Sequence, residues 1–216
     1  MNTSAGTTVR LLWAGLRALI VLTVVTGVLY PLAVTGVAQA AFSHHANGSE
    51  LTSDGKVVGS SLIGQTYLTE DGAPDLRWFQ PRPSNGLGEN SVNTRYRLIL
   101  SGATNLSGDN KELIEQVRDA RAAVVKDNST ATYTVRPSDV PADAVTSSGS
   151  GLDPAISPRY ADLQVHRVAQ RNHLSPARVQ RLVDDHKDGR LLGFMGEPTV
   201  NVLELDVALR QLTSAS

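Results

Sequence analysis

The chain contains no cysteine. That excludes disulfides and any zinc or iron–sulfur site held by thiolates, and it leaves the redox compartment open. It also lacks a charge surplus, with 20 Lys and Arg against 21 Asp and Glu, so the basic excess that nucleic-acid binding requires is missing. Residues 1–42 have no acid; their only charges are Arg10 and Arg17, which leaves the remainder mildly acidic without a long run of either sign. No Gly-Lys-Ser/Thr follows any small-residue loop, so no P-loop is present. A Ser148–His166–Asp162 triad can be written down, but no strained strand-to-helix turn presents the serine, and hydrolase chemistry finds no support. His44 and His45 follow the apolar segment, while His166, His173 and His186 show no metal-like pairing.

What is present begins with an apolar stretch, Ala18 to Phe42, 25 residues without a charge. As a helix it would be about 37 Å long, more than the roughly 30 Å hydrocarbon core of a bilayer. Ala38-Gln39-Ala40 offers the alternative of a signal-peptide cleavage site, but the stretch is far longer than a usual signal core, so a retained span is expected. Arg10 and Arg17 precede it and the first charge beyond is Glu50. The positive-inside rule then predicts residues 1–17 in the cytoplasm, a span over 18–42, and residues 43–216 outside. Pro31 falls mid-span, where local geometry must adjust to re-satisfy a freed carbonyl. Gly27 and Gly36 are candidate points of close approach for a partner helix.

The remainder reads as one α+β domain with a helical C-terminal third. Short extended segments or strands are expected at Gly59–Tyr67 and from Arg77, followed by a Gly/Asn/Ser-rich loop between Pro83 and Arg95. A helix is expected from about Asn110 to Lys126 with Asp109 as N-cap, then a break at 127–129 and a β-like Ala131–Val135. Ser157-Pro158 and Ser175-Pro176 each place proline just inside a helix start. Asn201 with Glu204 opens a last helix. The two Ser-Pro helices outline a helix-turn-helix, but without a basic face.

Three motifs invite function. Ser147–Pro158 (SSGSGLDPAISP) is either an anion-binding nest of backbone N–H groups or a tight turn before a helix. Ser101–Gly108 reads as a loop leading into the following helix. Arg77–Pro83 combines Trp78, Phe79 and Arg82, residue types favoured at contact hot spots, though core aromatics beside solvated arginines fit as well.

Taken in order, Gly59–Gln65 (GSSLIGQ), Phe79–Ser84 (FQPRPS), Ser101–Leu106 (SGATNL), Ser147–Ile156 (SSGSGLDPAI), Gln164–Arg171 (QVHRVAQR) and Leu192–Leu209 (LGFMGEPTVNVLELDVAL) resemble the C subunit (KdpC) of the Kdp potassium-transporting P-type ATPase. The resemblance implies a non-catalytic accessory subunit of the bacterial inner membrane. Its partners would be a channel-like potassium-translocating subunit and an ATP-hydrolysing P-type subunit. ATP and potassium would be handled by the complex, with no cofactor assigned to this chain, and a catalytic-chaperone role would raise the pump subunit's affinity for ATP. The chain has no Asp-Lys-Thr-Gly phosphorylation motif, in keeping with hydrolysis on a partner. Three residues depart from the family pattern: Ala155 for a common His, Ala103 for Gly and Asp206 for Asn. The expected partner contacts are Gly27 and Gly36 on the span, the Trp78/Phe79/Arg82 patch, and Ser148, Gly149, Ser150, Gly151 and Asp153 in the turn. A stand-alone membrane-anchored solute-binding or sensor domain is the alternative.

Overall fold

The computed structural model of the chain describes residues 5–84, 101–102 and 105–214. Most of the loop expected between Pro83 and Arg95, together with Ala103 and Thr104, lies outside the described residues. The chain divides into two compact units, Met1–Ser49 and Glu50–Ser216.

In the first unit, α1 (Ala5–Val24), a π turn (Val25–Leu29) and α2 (Tyr30–Ala41) run on without a break, and α3 (Ser43–Ala46) adds one turn. Gly6–Ala41, 36 residues, is long and apolar enough to cross a membrane. Helix therefore begins well before Ala18 and continues through Arg10 and Arg17. The adjustment demanded by Pro31 is the π turn. Proline lacks an N–H and crowds the carbonyl four residues back; a wider turn relieves both. The Tyr30 N–H accordingly donates to the Val25 carbonyl, five residues back, and the Thr26 hydroxyl donates to the Leu22 carbonyl at 2.7 Å.

The second unit opens with an antiparallel hairpin, β1 (Glu50–Ser53) and β2 (Lys56–Ser60). Asp54-Gly55 closes it, with φ of 52° and 75°, the left-handed pair that a tight two-residue turn requires. Helix α4 (Lys111–Asn128) follows, then two short 3₁₀ turns at Pro137–Asp139 and Ala142–Ala144. The chain continues through β3 (Ala155–Ile156), α5 (Pro158–Arg171), α6 (Pro176–Asp185), β4 (Lys187–Asp188), β5 (Thr199–Asn201) and α7 (Val202–Ser214). The second sheet is antiparallel with order β3-β5-β4. Ile156 and Val200 on it join Val168, Val179, Val183, Leu205 and Leu209 from α5, α6 and α7 in one buried core. The fold class is α+β, as expected.

Two local expectations are corrected. The N-cap of α4 is Asn110, not Asp109: Asn110 Oδ1 accepts the N–H groups of Glu112 and Leu113 at 2.8 and 3.3 Å. The Asp109 carboxylate instead accepts the Ser107 hydroxyl at 2.5 Å. Residues 131–135 form no strand, because the Thr130 N–H donates to the Tyr133 carbonyl at 2.7 Å and the Val135 N–H to Ser129 Oγ at 3.1 Å. For the segment from Arg77, expected as a strand or an extended segment, no strand forms. Its backbone is satisfied by buried side chains rather than by a ladder, since Phe79 N–H donates to Asp206 Oδ1 at 2.9 Å and Gln80 N–H to Gln164 Oε1 at 2.7 Å.

Candidate functional site

Three separate stretches meet at the turn Ser147–Pro154. From the segment after Phe79, Arg82 forms an ion pair with Asp153 at 3.1 Å and donates to the carbonyls of Thr146 and Ser147 at 3.4 and 3.3 Å. Ser84 Oγ donates to the Gly151 carbonyl. From the next stretch, Gly102 N–H and Ser101 Oγ both donate to the Ser150 carbonyl, at 2.8 and 3.2 Å. From the loop after β2, Gly64 N–H donates to the Leu152 carbonyl at 2.9 Å. Gly151 sits at φ 68°, and a Cβ there would stand 2.9 Å from the Gly102 carbonyl oxygen, so only glycine lets these two backbones approach so closely.

Within and just after the turn, four amides have acceptors of their own. Gly151 N–H donates to the Ser148 carbonyl, Leu152 N–H to Ser150 Oγ and Asp153 N–H to Ser148 Oγ, at 3.2, 3.1 and 3.4 Å. Ala155 N–H donates to Asp153 Oδ1 at 3.0 Å. These bonds fit the structural-turn reading of the motif. It feeds β3 and then α5, whose N-cap Ser157 accepts the Tyr160 N–H at 3.1 Å.

A second node lies inside the domain and was not anticipated. Arg167 of α5 is 2% exposed. Its guanidinium donates to Asn128 Oδ1 at 2.8 Å, to Gln164 Oε1 at 2.5 Å, to the Trp78 carbonyl at 2.9 Å and to the Leu76 carbonyl. Burial lowers its pKa to about 10, which keeps it charged at neutral pH. Gln164 Nε2 also donates to the Gln80 carbonyl at 3.0 Å, so two side chains of α5 clamp the backbone of residues 76–80. The signal was available: Gln164 and Arg167 share the spacing of the apolar positions Tyr160, Ala161 and Val168, hence the buried face of the helix.

Asp206 holds the same segment from α7. Its Oδ1 accepts the Phe79 N–H, while Oδ2 is buried with no hydrogen-bond partner among the described residues. The residue lines a cavity of about 180 Å³ with Ser53, Val58, Tyr67, Trp78, Val207 and Arg210. Burial pushes its carboxyl well above the usual range, against the opposing pulls of the Phe79 N–H and Arg167. A carboxyl raised in the folded state binds its proton there at pH values where the unfolded chain has lost it, so stability falls as pH rises from about 4 through the folded value. Asp206→Asn removes that dependence. Chemical denaturation should show the variant more stable than the parent by about 1 kcal/mol or more at pH 8, with little difference at pH 4.5; parallel pH profiles for the two would refute it.

The remaining expected site residues fall in varied surroundings. Phe79 is corrected: it is wholly buried in the core and cannot present a surface. Trp78 is half-buried and stacks on Tyr67 with centroids 5.1 Å apart. Arg82 and Asp153 are half-buried and paired with each other. Ser148 and Gly151 are buried, while Gly149 and Ser150 are exposed. Gly27 and Gly36 are open: a Cβ at Gly27 would meet only Thr23 Cγ2 at 3.9 Å, and at Gly36 nothing within 4 Å. Gly27 lies within the π turn and Gly36 nine residues on in α2. His166 stacks on Tyr133 with centroids 3.9 Å apart, and Asp162 accepts Gln180 Nε2 at 2.7 Å.

A long apolar N-terminal helix, of a length that could cross a membrane, and one α+β domain laced by internal polar clamps define a one-helix, one-domain class of chain. More particularly, the chain belongs to the KdpC family: the family model described as K+-transporting ATPase, c chain, matches residues 12–211. A potassium-transporting ATPase KdpC subunit of Streptomyces avermitilis is 71% identical over the whole of both chains. That of Streptomyces coelicolor is 67% identical over 99% of this chain and 98% of its own. That of Mycobacterium tuberculosis is 45% identical over 94% and 99%. Membership makes the chain a subunit of a potassium-transporting ATPase.

Proposed function

We propose that the chain is a non-catalytic accessory subunit that stabilises assembly of a channel-like potassium-translocating subunit with an ATP-hydrolysing one. The observation that carries this reading is how the polar side chains of the family-like stretches are used. Arg82, Asp153, Ser84, Gln164 and Arg167 fasten one segment of the domain to another, which builds a rigid body suited to bridging partners. In this reading the helix Gly6–Ala41 spans the inner membrane with its N-terminus in the cytoplasm, following Arg10 and Arg17. The domain then stands outside, beside the channel-like subunit's entrance, with Trp78, Gly149, Ser150 and the Arg82–Asp153 pair near the contact. Any gain in the pump subunit's ATP affinity then reaches across the bilayer through assembly, not through nucleotide held by the outer domain. The stand-alone sensor is the weaker reading, because it does not use membership in a multi-subunit ATPase.

Pull-down of the tagged full-length chain from native membranes tests this. Recovery of both other subunits with potassium-stimulated ATPase activity is expected; recovery of the chain alone, with the others expressed, would favour the sensor. Leucine at Gly27 and Gly36 together should reduce partner recovery about tenfold by blocking close helix approach. Undiminished recovery of the double variant would remove the span from the assembly interface.

A further inference from the structure

Among the described residues, the connection between β4 and β5 carries the most concentrated exposed apolar surface of the domain. Leu191, Leu192, Phe194 and Met195 are 67%, 76%, 71% and 42% exposed, four large side chains within five residues. They are not on a loose loop. Leu191 pairs with Met195, with the Leu191 N–H donating to the Met195 carbonyl at 2.9 Å and the Met195 N–H to the Leu191 carbonyl at 3.0 Å. Gly193 N–H donates to the Arg190 carbonyl at 3.0 Å. An Arg190–Glu197 ion pair of 2.8 Å closes the base, and β5 below it is fixed in the core through Val200, which is fully buried.

We infer that this tip, Leu191–Met195, is an anchor that inserts into an apolar pocket on another subunit of the same ATPase. The inference rests on the assembly reading and gives it a contact. Three observations select a protein pocket over the other occupants. First, the charges around the tip cancel: Lys187 and Arg190 against Asp188 and Glu197. No cationic surplus is left for anionic lipid headgroups. Second, Leu192 is held at φ 53° beside Gly193 at 82°. A leucine in the left-handed region is strained, and such strain is retained where a particular shape is needed, which a fluid bilayer does not demand. Third, the four side chains offer a few hundred Å², well short of the roughly 800 Å² per partner of a stable standard interface. That suits an anchor within a larger heteromeric contact, with Phe194 as its central aromatic, and not a self-sufficient dimer.

The test uses the full-length chain co-produced with the other subunits and purified through a tag in mild detergent. Leu192→Asn replaces the strained leucine with a residue that accepts left-handed backbone, and Phe194→Ser removes the aromatic. Each should lower partner recovery about tenfold while the thermal midpoint of the purified chain stays within about 2 °C of the parent. Because the chain has no cysteine, Phe194→Cys supplies a single thiol. Maleimide should label it freely in the chain alone and poorly in the assembled complex. Full recovery with both variants, or equal labelling in the two states, would overturn the inference. So would a disulfide-linked homodimer of the cysteine variant, which would place the tip against a second copy. Quenching of a Phe194→Trp variant by brominated lipid beyond that of the parent would place it in the bilayer instead. If the parent chain itself recovers no partner, the assembly reading fails rather than the hairpin.

Discussion

Replacing Arg167 with methionine should destabilise the domain by about 3–5 kcal/mol, a large part of what a domain of this size has to lose. Methionine fills similar space and removes the buried charge, but it cannot donate. The carbonyls of Leu76 and Trp78 and the side-chain oxygens of Asn128 and Gln164 would lose a donor together. A buried acceptor stripped of its partner costs about 1–3 kcal/mol, and relaxation of the 76–80 segment recovers only part of the total. Lysine should fail almost as badly, because one ammonium cannot reproduce a planar fork that reaches four acceptors in different directions. Denaturant titration of the detergent-solubilised chain, followed by circular dichroism, measures the loss. A change below about 1 kcal/mol would mean that the clamp is dispensable.

Phe79→Ala should be nearly as damaging, at about 3–5 kcal/mol, whereas Trp78→Ala should cost only about 1–2 kcal/mol. The two neighbours differ because Phe79 is wholly enclosed by the core, while Trp78 is half-buried with one face stacked on Tyr67. Partner recovery should follow the same logic. Phe79→Ala lowers it only in proportion to the unfolded fraction, so cooling or an osmolyte should restore it. For Trp78→Ala, a loss of partner at unchanged stability would identify its open face as part of an interface. If Phe79→Ala folds normally yet loses partners, the core assignment is wrong.

These outcomes bear on what could be read in advance. The apolar N-terminal helix was legible because 25 uncharged, mostly apolar residues exceed a usual signal core, and the π turn before Pro31 follows from the proline's missing donor. The helices opened by Ser157-Pro158 and Ser175-Pro176 were equally plain, since cap residues and proline act within a few residues of chain. The hairpin at Asp54-Gly55 is legible too, since Asp-Gly is a direct turn signal. The Asn110 cap was missed by one residue, because Asp109 and Asn110 are equivalent on propensity and only the backbone angle at the helix start separates them.

The candidate site was legible in its parts and not in its arrangement. Arg82 and Asp153 were both singled out, but nothing local indicates that residues 71 positions apart form an ion pair. Phe79 looked like a contact residue beside Trp78 and Arg82. Its burial depends on Asp206 and Gln164 arriving from α7 and α5 to satisfy the backbone around it. All of the apolar run Leu191–Met195 but its first residue stood inside a recognised stretch, yet its exposure could not be known before the sheet order β3-β5-β4 turned the connection outward.

The sequence by itself determined the apolar helix, the α+β class, the helix starts at Ser157-Pro158 and Ser175-Pro176 and the family, because each depends on composition or on spacings within a few residues. Only the tertiary structure decided which polar residues are clamps and which apolar residues are left in water. Those choices depend on desolvation, which is set by what other segments bring to the same place: Arg167 is buried and useful because four acceptors converge on it, and Phe194 is exposed because nothing in the described domain covers it.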